Sequence, residues 1–264
     1  MGYNTRMKTS GTKVMGIVNV TPDSFSDGGK FNTPEEAIRR AKNLIEEGAA
    51  IIDIGGESTR PGATPLSWKE EWARIEPVLQ GLSTLASQPS SHSTFQLSVD
   101  TYHPETAERA VQLGATIINC VYPEPVEAML RILAAKPEVE LVIPSKLLDS
   151  QLATINSQLT TFSSRLYLDP MIGFGTTREE DLEILQTIPE LAKKGRVLIG
   201  ASRKRIVKRL TGEKVPGKDL AGNLTIAVWA ALKGADVVRV HDVRETVQAL
   251  KVLAALQGEI LPLT

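Results

Sequence analysis

Residues 96–121, QLSVDTYHPETAERAVQLGATIINCV, contain one complete strand–helix–strand repeat. The segments 96–100 and 116–121 are short apolar runs, which are typical of parallel strands buried on both faces. Between them, Pro104 opens an amphipathic stretch that Gly114 closes, and this combination predicts a helix. The stretch therefore predicts one βαβ unit.

The same alternation continues along the whole chain. Apolar strand segments are predicted at 14–20, 50–54, 96–100, 116–121, 140–143, 165–169, 196–200 and 236–241. Helical segments are predicted at 34–47, 67–85, 104–113, 125–135, 147–162 (weakly), 178–194, up to 209, 220–233 and 244–256. Eight units in 264 residues give about 33 residues each, which is typical of an α/β (β/α)8 TIM barrel. We expect residues 1–264 to form one such domain. A doubly wound open sheet is the alternative, but no GxGxxG follows the first strand.

Composition excludes several classes of protein. Thirty Lys and Arg against thirty-one Asp and Glu leave a net charge of -1, whereas general nucleic-acid binders carry a basic excess. Cys120 is the single cysteine, so an intramolecular disulfide is excluded. The first residues do not read as a signal peptide, and no apolar run reaches the length of about 18 residues that spans a membrane. We expect a cytoplasmic protein that binds neither nucleic acid nor membrane.

Polar side chains end nearly every predicted strand. These ends carry Asn19, Asp53, Asp100, Asn119, Asp169, Ser202 with Arg203 and Lys204, and Arg239 with His241. A single aspartate at such a place is often only a helix cap. A whole ring is difficult to explain structurally, because buried charges cost several kcal/mol unless they are paired or used. Since barrel chemistry sits at the carboxyl ends of the strands, the ring predicts a functional site there.

One side of the ring suits a heterocycle. Asp53, Asp100 and Asp169 offer acceptors, and Asn119 can both donate and accept. An amino-pyrimidine edge presents adjacent N–H donors and a carbonyl, and Lys204 can donate to that carbonyl. The acidic side therefore indicates a nitrogen heterocycle as ligand.

The other side of the ring is cationic. Arg60, Arg239 and His241 suit phosphate oxygens, which Arg binds through two parallel hydrogen bonds. Arg239 could instead pair with Asp242 or Asp236, and His241 could simply lie at the start of a helix. Positions 239 and 241 point to the same face of their strand, which favours a shared function.

Two glycine-containing loops follow the first two strands. The loop at 19–29 contains hydroxyls, carboxylates and paired glycines. We interpret it as a flexible lid that can contact a metal-bound phosphate. A plain surface loop is the alternative. The loop at 55–62 has the glycines and hydroxyls of a turn whose backbone N–H groups cradle an anion.

Six motifs resemble those of the dihydropteroate synthase family and occur in the family's order. They are MGIVNVTPDSFSDGG at 15–29, IDIGGESTRPG at 52–62, SVDT at 98–101, LDP at 168–170 with GFG at 173–175, GASRK at 200–204, and VRVHDV at 238–243. The resemblance covers essentially the whole chain and independently implies a (β/α)8 barrel. It implies a transferase of folate biosynthesis, which joins 6-hydroxymethyl-7,8-dihydropterin pyrophosphate to p-aminobenzoate and releases 7,8-dihydropteroate and pyrophosphate.

The resemblance also implies roles for individual residues. The pterin would be held by Asp100, Asn119, Asp169 and Lys204. The pyrophosphate would be held by Asn19, Arg60, Arg239 and His241, with Mg²⁺ at Asn19. The p-aminobenzoate pocket, where sulfonamides compete in the family, would be lined by Thr59, Pro61, Phe174 and Ser202. The implied catalytic set is Asp100, Asp169, Lys204, Arg239 and His241.

The chain departs from the family pattern on one side of the pterin pocket. Cys120 stands where an aspartate is usual after Asn119, and residues 143–146 are IPSK, with Pro144, in place of a Met-His-Met sequence. Met171 replaces the glycine of Asp-Pro-Gly, and Thr176 replaces a lysine. We expect Cys120 to be a small buried residue and pterin binding to persist.

Two other functions stay open at the level of sequence. One is a pterin-binding protein that no longer catalyses, which the departures favour and the intact Arg60, Lys204, Arg239 and His241 disfavour. The other is a corrinoid-linked methyltransferase, which would have no use for a pyrophosphate site. For the synthase, we expect Lys204→Ala or Arg239→Ala to abolish synthesis and to leave the fold intact.

The family is commonly dimeric through its outer helices. A stripe of Leu250, Leu253, Ala254 and Leu256 could serve a homodimer, although such a stripe packs against a barrel just as readily.

Overall fold

The fold is a closed barrel of eight parallel strands, seen in a computed structural model that describes residues 11–21, 33–57, 64–86, 95–149, 153–215 and 217–258. The strands are β1 Lys13–Asn19, β2 Ile51–Gly55, β3 Gln96–Asp100, β4 Ile117–Asn119, β5 Glu140–Pro144, β6 Leu166–Asp169, β7 Arg196–Ile199 and β8 Val237–Val240. Each strand pairs with the next in chain order, and β8 pairs with β1. The predicted TIM barrel is confirmed, and the open-sheet alternative is wrong.

Helices follow the strands as the alternation predicts. They are α1 Pro34–Glu46, α2 Trp68–Ala86, α3 Pro104–Gln112, α4 Val126–Ala135, α5 Ala153–Thr161, α6 Arg178–Lys194, α7 Arg205–Thr211, α8 Leu220–Leu232 and α9 Val243–Leu256. The segment 147–162, where the sequence predicts a helix only weakly, does not form one continuous helix in the structure. A 3₁₀ turn, Ser145–Asp149, precedes the short α5. No helix among the described residues is long and apolar enough to cross a bilayer.

Local sequence explains where the best-defined helices begin. At α1, the Thr33 hydroxyl accepts from the Glu36 N–H while the Glu36 carboxylate accepts from the Thr33 N–H. Thr177 and Glu180 form the same reciprocal pair at α6. Each capping box satisfies two N–H groups that the helix itself leaves free, so the helix start is fixed by short-range sequence.

The barrel interior is layered. Near the amino ends of the strands, Arg196 pairs with Glu140 at 2.7 Å. Above this pair lies an apolar plug, whose members are Met15, Ile51, Ile117, Val142, Tyr167, Leu198 and Val237. Successive inward side chains on a strand are two residues apart. On several of these strands the inward side chain that follows the apolar plug is polar. The polar layer therefore rests on a dry, packed floor and opens toward the carboxyl ends.

Candidate active site

Most of the residues that the sequence singles out converge at the carboxyl ends of the strands. A cavity of about 1210 Å³ opens there. Its lining includes Asn19, Asp100, Phe174, Ser202, Lys204, Arg239 and His241. Asn119 and Asp169 end β4 and β6 and are more deeply buried, at 2% and 4% exposure. Thr59, Arg60 and Pro61 lie outside the described residues, as does most of the predicted lid at 19–29.

Arg239 connects two carboxylates at the centre of the site. Its Nε donates to Asp53 Oδ2 and its Nη2 donates to Asp100 Oδ2, both at 2.6 Å. Burial works against the charge, but the two carboxylates outweigh it and raise the pKa of the Arg239 guanidinium. The partners considered from sequence are engaged elsewhere: Asp242 pairs with Arg203 at 2.7 Å, and Asp236 accepts from a backbone N–H of β7.

Burial shifts the titration of the groups beside Arg239. Desolvation raises the pKa of the Asp100 carboxyl to about 7, against the opposing effect of the Arg239 charge. Desolvation also raises the pKa of Asp169 and lowers that of the Lys204 ammonium to about 8, the latter against the opposing effect of Asp169. Perturbed acids and bases in one cleft are typical of active sites. Asp100 and Lys204 therefore both titrate close to neutral pH.

The segment after β6 builds one wall of the site. The Met171 N–H donates to Asp169 Oδ1 at 2.7 Å, and Met171 takes a left-handed φ of 64°. Glycine reaches this conformation without strain, yet the methionine keeps the turn that the family's glycine would form. Gly173 also has a positive φ, 77°, and a Cβ there would lie 3.1 Å from Lys204 Cδ. A side chain at position 173 would therefore be strained and would crowd the Lys204 side chain.

Lys204 is held from two sides. Its Nζ donates to the Ile172 carbonyl at 2.7 Å and lies 4.4 Å from the centre of the Phe174 ring. Thr176, one of the departures from the family, helps to hold this wall, because its Oγ1 accepts from the Gly173 N–H at 3.0 Å and bonds Asp181 Oδ1. The threonine thus contributes to the shape of the wall although it carries no charge.

Ser202 and His241 form a pair on the opposite side. Ser202 Oγ lies 3.1 Å from His241 Nδ1 and accepts from the His241 N–H at 3.3 Å. The serine hydroxyl thus helps to hold the imidazole ring of His241 at the wall of the cavity. Arg40 donates to the His241 carbonyl at 2.9 Å and so fixes the backbone after β8.

The structure adds cations that sequence reasoning missed. Arg205, Lys208 and Arg209, all on α7, line the same cavity. Their spacing of three and four residues places them on one helix face, and that spacing was available in the sequence. Tyr122 and Lys146 line the cavity as well, in the two segments where the family pattern fails. No motif could have identified these two.

Two places among the described residues could receive a cation. At the first, a Cβ on Gly55 would lie 3.7 Å from Asn19 Oδ1 and 3.8 Å from Asp100 Oδ2, so the glycine leaves a cradle between two oxygens. At the second, ligand atoms of Glu57, Glu71 and His103 lie within 4.8 Å of one another. Hydrogen bonds already occupy this second group, since Tyr102 donates to Glu57, and Thr101 and His103 contact the same oxygen of Glu71. At the first place Asp100 Oδ2 already accepts from Arg239, so Asn19 Oδ1 is the oxygen that fits Mg²⁺, an ion that takes few protein ligands and completes its coordination with water and phosphate.

Cys120 is a structural residue, as the sequence predicts. It is fully buried, its Sγ lies 3.4 Å from the Tyr122 carbonyl, and desolvation raises the pKa of the thiol to about 12. Such a thiol is neither a nucleophile nor a metal ligand at neutral pH.

Comparison with known proteins agrees with this geometry. The model of the family described as pterin binding enzyme matches residues 15–153 and 150–241. The dihydropteroate synthase of Staphylococcus haemolyticus is 38% identical over 88% of this chain and 90% of its own. Two structures of the Xanthomonas albilineans dihydropteroate synthase, each covering 95% of both chains, are also similar. The one with 4-aminobenzoic acid is 37% identical with a TM-score of 0.79, and the complex with 7,8-dihydropteroate is 35% identical with a TM-score of 0.76. The chain belongs to the pterin-binding enzyme family and, within it, to the dihydropteroate synthases.

Proposed function

We propose that this chain condenses 6-hydroxymethyl-7,8-dihydropterin pyrophosphate with p-aminobenzoate, forming 7,8-dihydropteroate and pyrophosphate. One observation carries the proposal: a single cavity is lined by the Asp100 carboxylate and the Lys204 ammonium on one side and by a cationic wall on the other, with the buried Asn119 and Asp169 at the ends of two of the barrel strands beneath it. The first side matches a pterin edge and the second matches a diphosphate.

The pterin side offers acceptors with one donor. Asn119 Oδ1 is a buried acceptor without a partner in the described part of the chain. Asp169 uses Oδ1 for the Met171 N–H, so its other oxygen is available to the ligand. Lys204 supplies the donor for the pterin carbonyl. Three acceptors with Asp100, against one donor, complement a ring system with several N–H groups and one carbonyl.

The cationic wall would receive the pyrophosphate. Arg239 binds carboxylates through Nε and Nη2, and its Nη1 makes no hydrogen bond to the described residues, so Nη1 would be the donor to the ligand. His241 lines the same cavity beside Ser202 and would face the pyrophosphate. Mg²⁺ would be held by Asn19 Oδ1 and by the substrate's own oxygens, and when bound it would neutralise charge on the leaving group. Arg60 is expected to join this wall.

The reaction needs no nucleophile from the protein. The bond between the exocyclic methylene and the bridging oxygen breaks, and its electron pair leaves with the pyrophosphate. Asp100 and Asp169, as carboxylates, stabilise the positive charge that the pterin methylene develops. The amine of p-aminobenzoate forms the new C–N bond and gives up one proton, for which the departing pyrophosphate oxygens are acceptors.

The second substrate would bind between Phe174 and Ser202. The aromatic ring of p-aminobenzoate suits contact with the Phe174 ring, and its carboxylate suits the Ser202 hydroxyl and the cations of α7. Thr59 and Pro61 are expected to complete this pocket, which is also where a sulfonamide would compete.

The test is amine-dependent release of pyrophosphate. Protein, pterin pyrophosphate and Mg²⁺ are mixed with and without p-aminobenzoate, and both pyrophosphate and dihydropteroate are quantified. Equimolar products that require the amine support the synthase. Tight pterin binding by calorimetry without turnover would instead support the non-catalytic binding protein.

We also propose a homodimer, but through a different face from the predicted stripe. Leu250 packs against the barrel core and Ala254 is buried, so Leu256, at 81% exposure, is the one member of the stripe that lies fully open to a partner. On α8, by contrast, Leu224, Thr225, Val228, Trp229 and Leu232 line a shallow groove of about 370 Å³. Light scattering of the wild type and of Trp229→Glu checks this, since only the wild type should have the dimer mass. The cytoplasmic location stays a prediction, checked by cell fractionation.

A further inference from the structure

Asp53 is a fully buried carboxylate one layer below the ligand-facing residues. We infer that it is a positioning residue, which orients the amide of Asn119 so that Oδ1 faces the pterin as an acceptor. The inference rests on the proposed function and deepens it, because it names the residue that determines which edge of the heterocycle the site accepts.

Asp53 is surrounded by donors from three strands. Ser98 Oγ on β3 donates to Oδ1 at 2.5 Å, and Asn119 Nδ2 on β4 donates to Oδ2 at 3.1 Å. Arg239 Nε on β8 donates to the same Oδ2 at 2.6 Å. An ionised carboxylate can only accept hydrogen bonds. Each neighbour must therefore turn a donor toward Asp53, and for Asn119 that donor is the NH₂ group.

The consequence appears on the other side of the Asn119 amide. With Nδ2 held by Asp53, the oxygen is the atom left over, and it is buried without a hydrogen-bond partner among the residues described. A buried acceptor left unpaired is costly, so native structures rarely keep one without a reason. A ligand N–H would satisfy it. The orphan oxygen therefore points to a donor group of the pterin ring.

The contact with Arg239 could suggest a simpler role for Asp53, namely to neutralise that guanidinium. The two roles differ in what an asparagine at position 53 would do. Its Oδ1 can still accept from Asn119 and Arg239, while its NH₂ faces Ser98, whose hydroxyl can rotate to accept. Asparagine thus keeps the orientation of Asn119 and removes the charge, whereas alanine removes both.

The experiment measures binding of 6-hydroxymethyl-7,8-dihydropterin, which lacks the pyrophosphate, by calorimetry. We expect Asp53→Ala to weaken binding by roughly 30-fold, in the range of one lost buried hydrogen bond, and Asp53→Asn to stay within about threefold of wild type. In an Asn119→Ala background, Asp53→Ala should add less than about threefold, because both changes remove the same contact. The KM for p-aminobenzoate should stay within about twofold in Asp53→Asn, since the hydrogen bonds of Asp53 to the described residues go to Ser98, Asn119 and Arg239 and not to Phe174 or Ser202.

Circular dichroism and melting confirm that each variant is folded before titration. Asp53→Ser, whose hydroxyl ends one atom short of the carboxylate oxygens, is the second truncation and has the same expected loss. Wild-type affinity in a folded truncation would overturn the inference. So would equal losses in Asp53→Asn and Asp53→Ala, since charge would then matter and orientation would not. A wild-type protein that binds no pterin would instead overturn the proposed function itself.

Discussion

Arg239→Ala is the substitution for which the structure changes the expectation drawn from sequence. The sequence places Arg239 in the site alone, so its loss was expected to spare the fold. The structure places its Nε 2.6 Å from Asp53, which has no exposure to solvent. Truncating Arg239 therefore leaves a buried carboxylate without its counter-ion, and we expect a loss of stability as well as of activity.

The size of the loss follows from the environment of Asp53. Removing one partner of a buried ion pair typically costs about 3–5 kcal/mol. Asp53 keeps the hydrogen bonds from Ser98 and Asn119, and the shortened side chain at 239 admits water from the cavity. Both effects favour the lower limit, about 3 kcal/mol. For a chain of this size that corresponds to a melting temperature lower by roughly 6–12 °C.

The assay is urea unfolding followed by tryptophan fluorescence, with thermal melting as a second measurement. The matched control is the double variant Asp53→Asn/Arg239→Ala, which removes the uncompensated charge. It should regain about 2 kcal/mol of the unfolding free energy over Arg239→Ala alone and should remain inactive, because the pyrophosphate contact is still missing. An Arg239→Ala protein as stable as wild type, or a double variant no more stable than the single one, would refute the reasoning.

Three further predictions concern the other groups of the site. Lys204→Met should lower kcat/KM at least about 100-fold, because the site loses its donor to the pterin carbonyl. The melting temperature should stay unchanged or rise, because burial disfavours the ammonium and lowers its pKa to about 8, and a clear drop in melting temperature would contradict this. The profile of kcat/KM against pH should be bell-shaped, falling below about 7 as Asp100 takes up a proton and loses its charge, and above about 8 as Lys204 loses its proton; rates that stay level from pH 6 to 9 would be inconsistent with these roles. Cys120, whose pKa burial raises to about 12, should resist thiol reagents in the native protein and react once per chain after denaturation, so rapid labelling of the folded protein would show that it is accessible.

Periodicity was sufficient to predict the barrel, because each strand and helix carries its own local signal. The mostly apolar run at residues 50–54 is typical of a strand in a sheet covered on both faces. Capping pairs such as Thr33 with Glu36 fix helix starts within four residues. Strand ends then predicted the position of the site. The hydrogen-bond partners were not predictable in this way. Arg239 and Asp53 are 186 residues apart, and their contact depends on β8 closing against β1.

Met171 shows why a departure from a motif does not by itself predict loss of function. A methionine with φ of 64° bears strain of the order of 1–2 kcal/mol that glycine would avoid. The turn nevertheless keeps its geometry, because the Met171 N–H donates to Asp169 and the Phe174 N–H donates to the Met171 carbonyl. What this part of the site requires is a backbone path that brings Phe174 to Lys204 and one oxygen of Asp169 to the ligand. Several residues can follow that path at different energetic cost, so the strain lowers stability while the geometry for catalysis is retained.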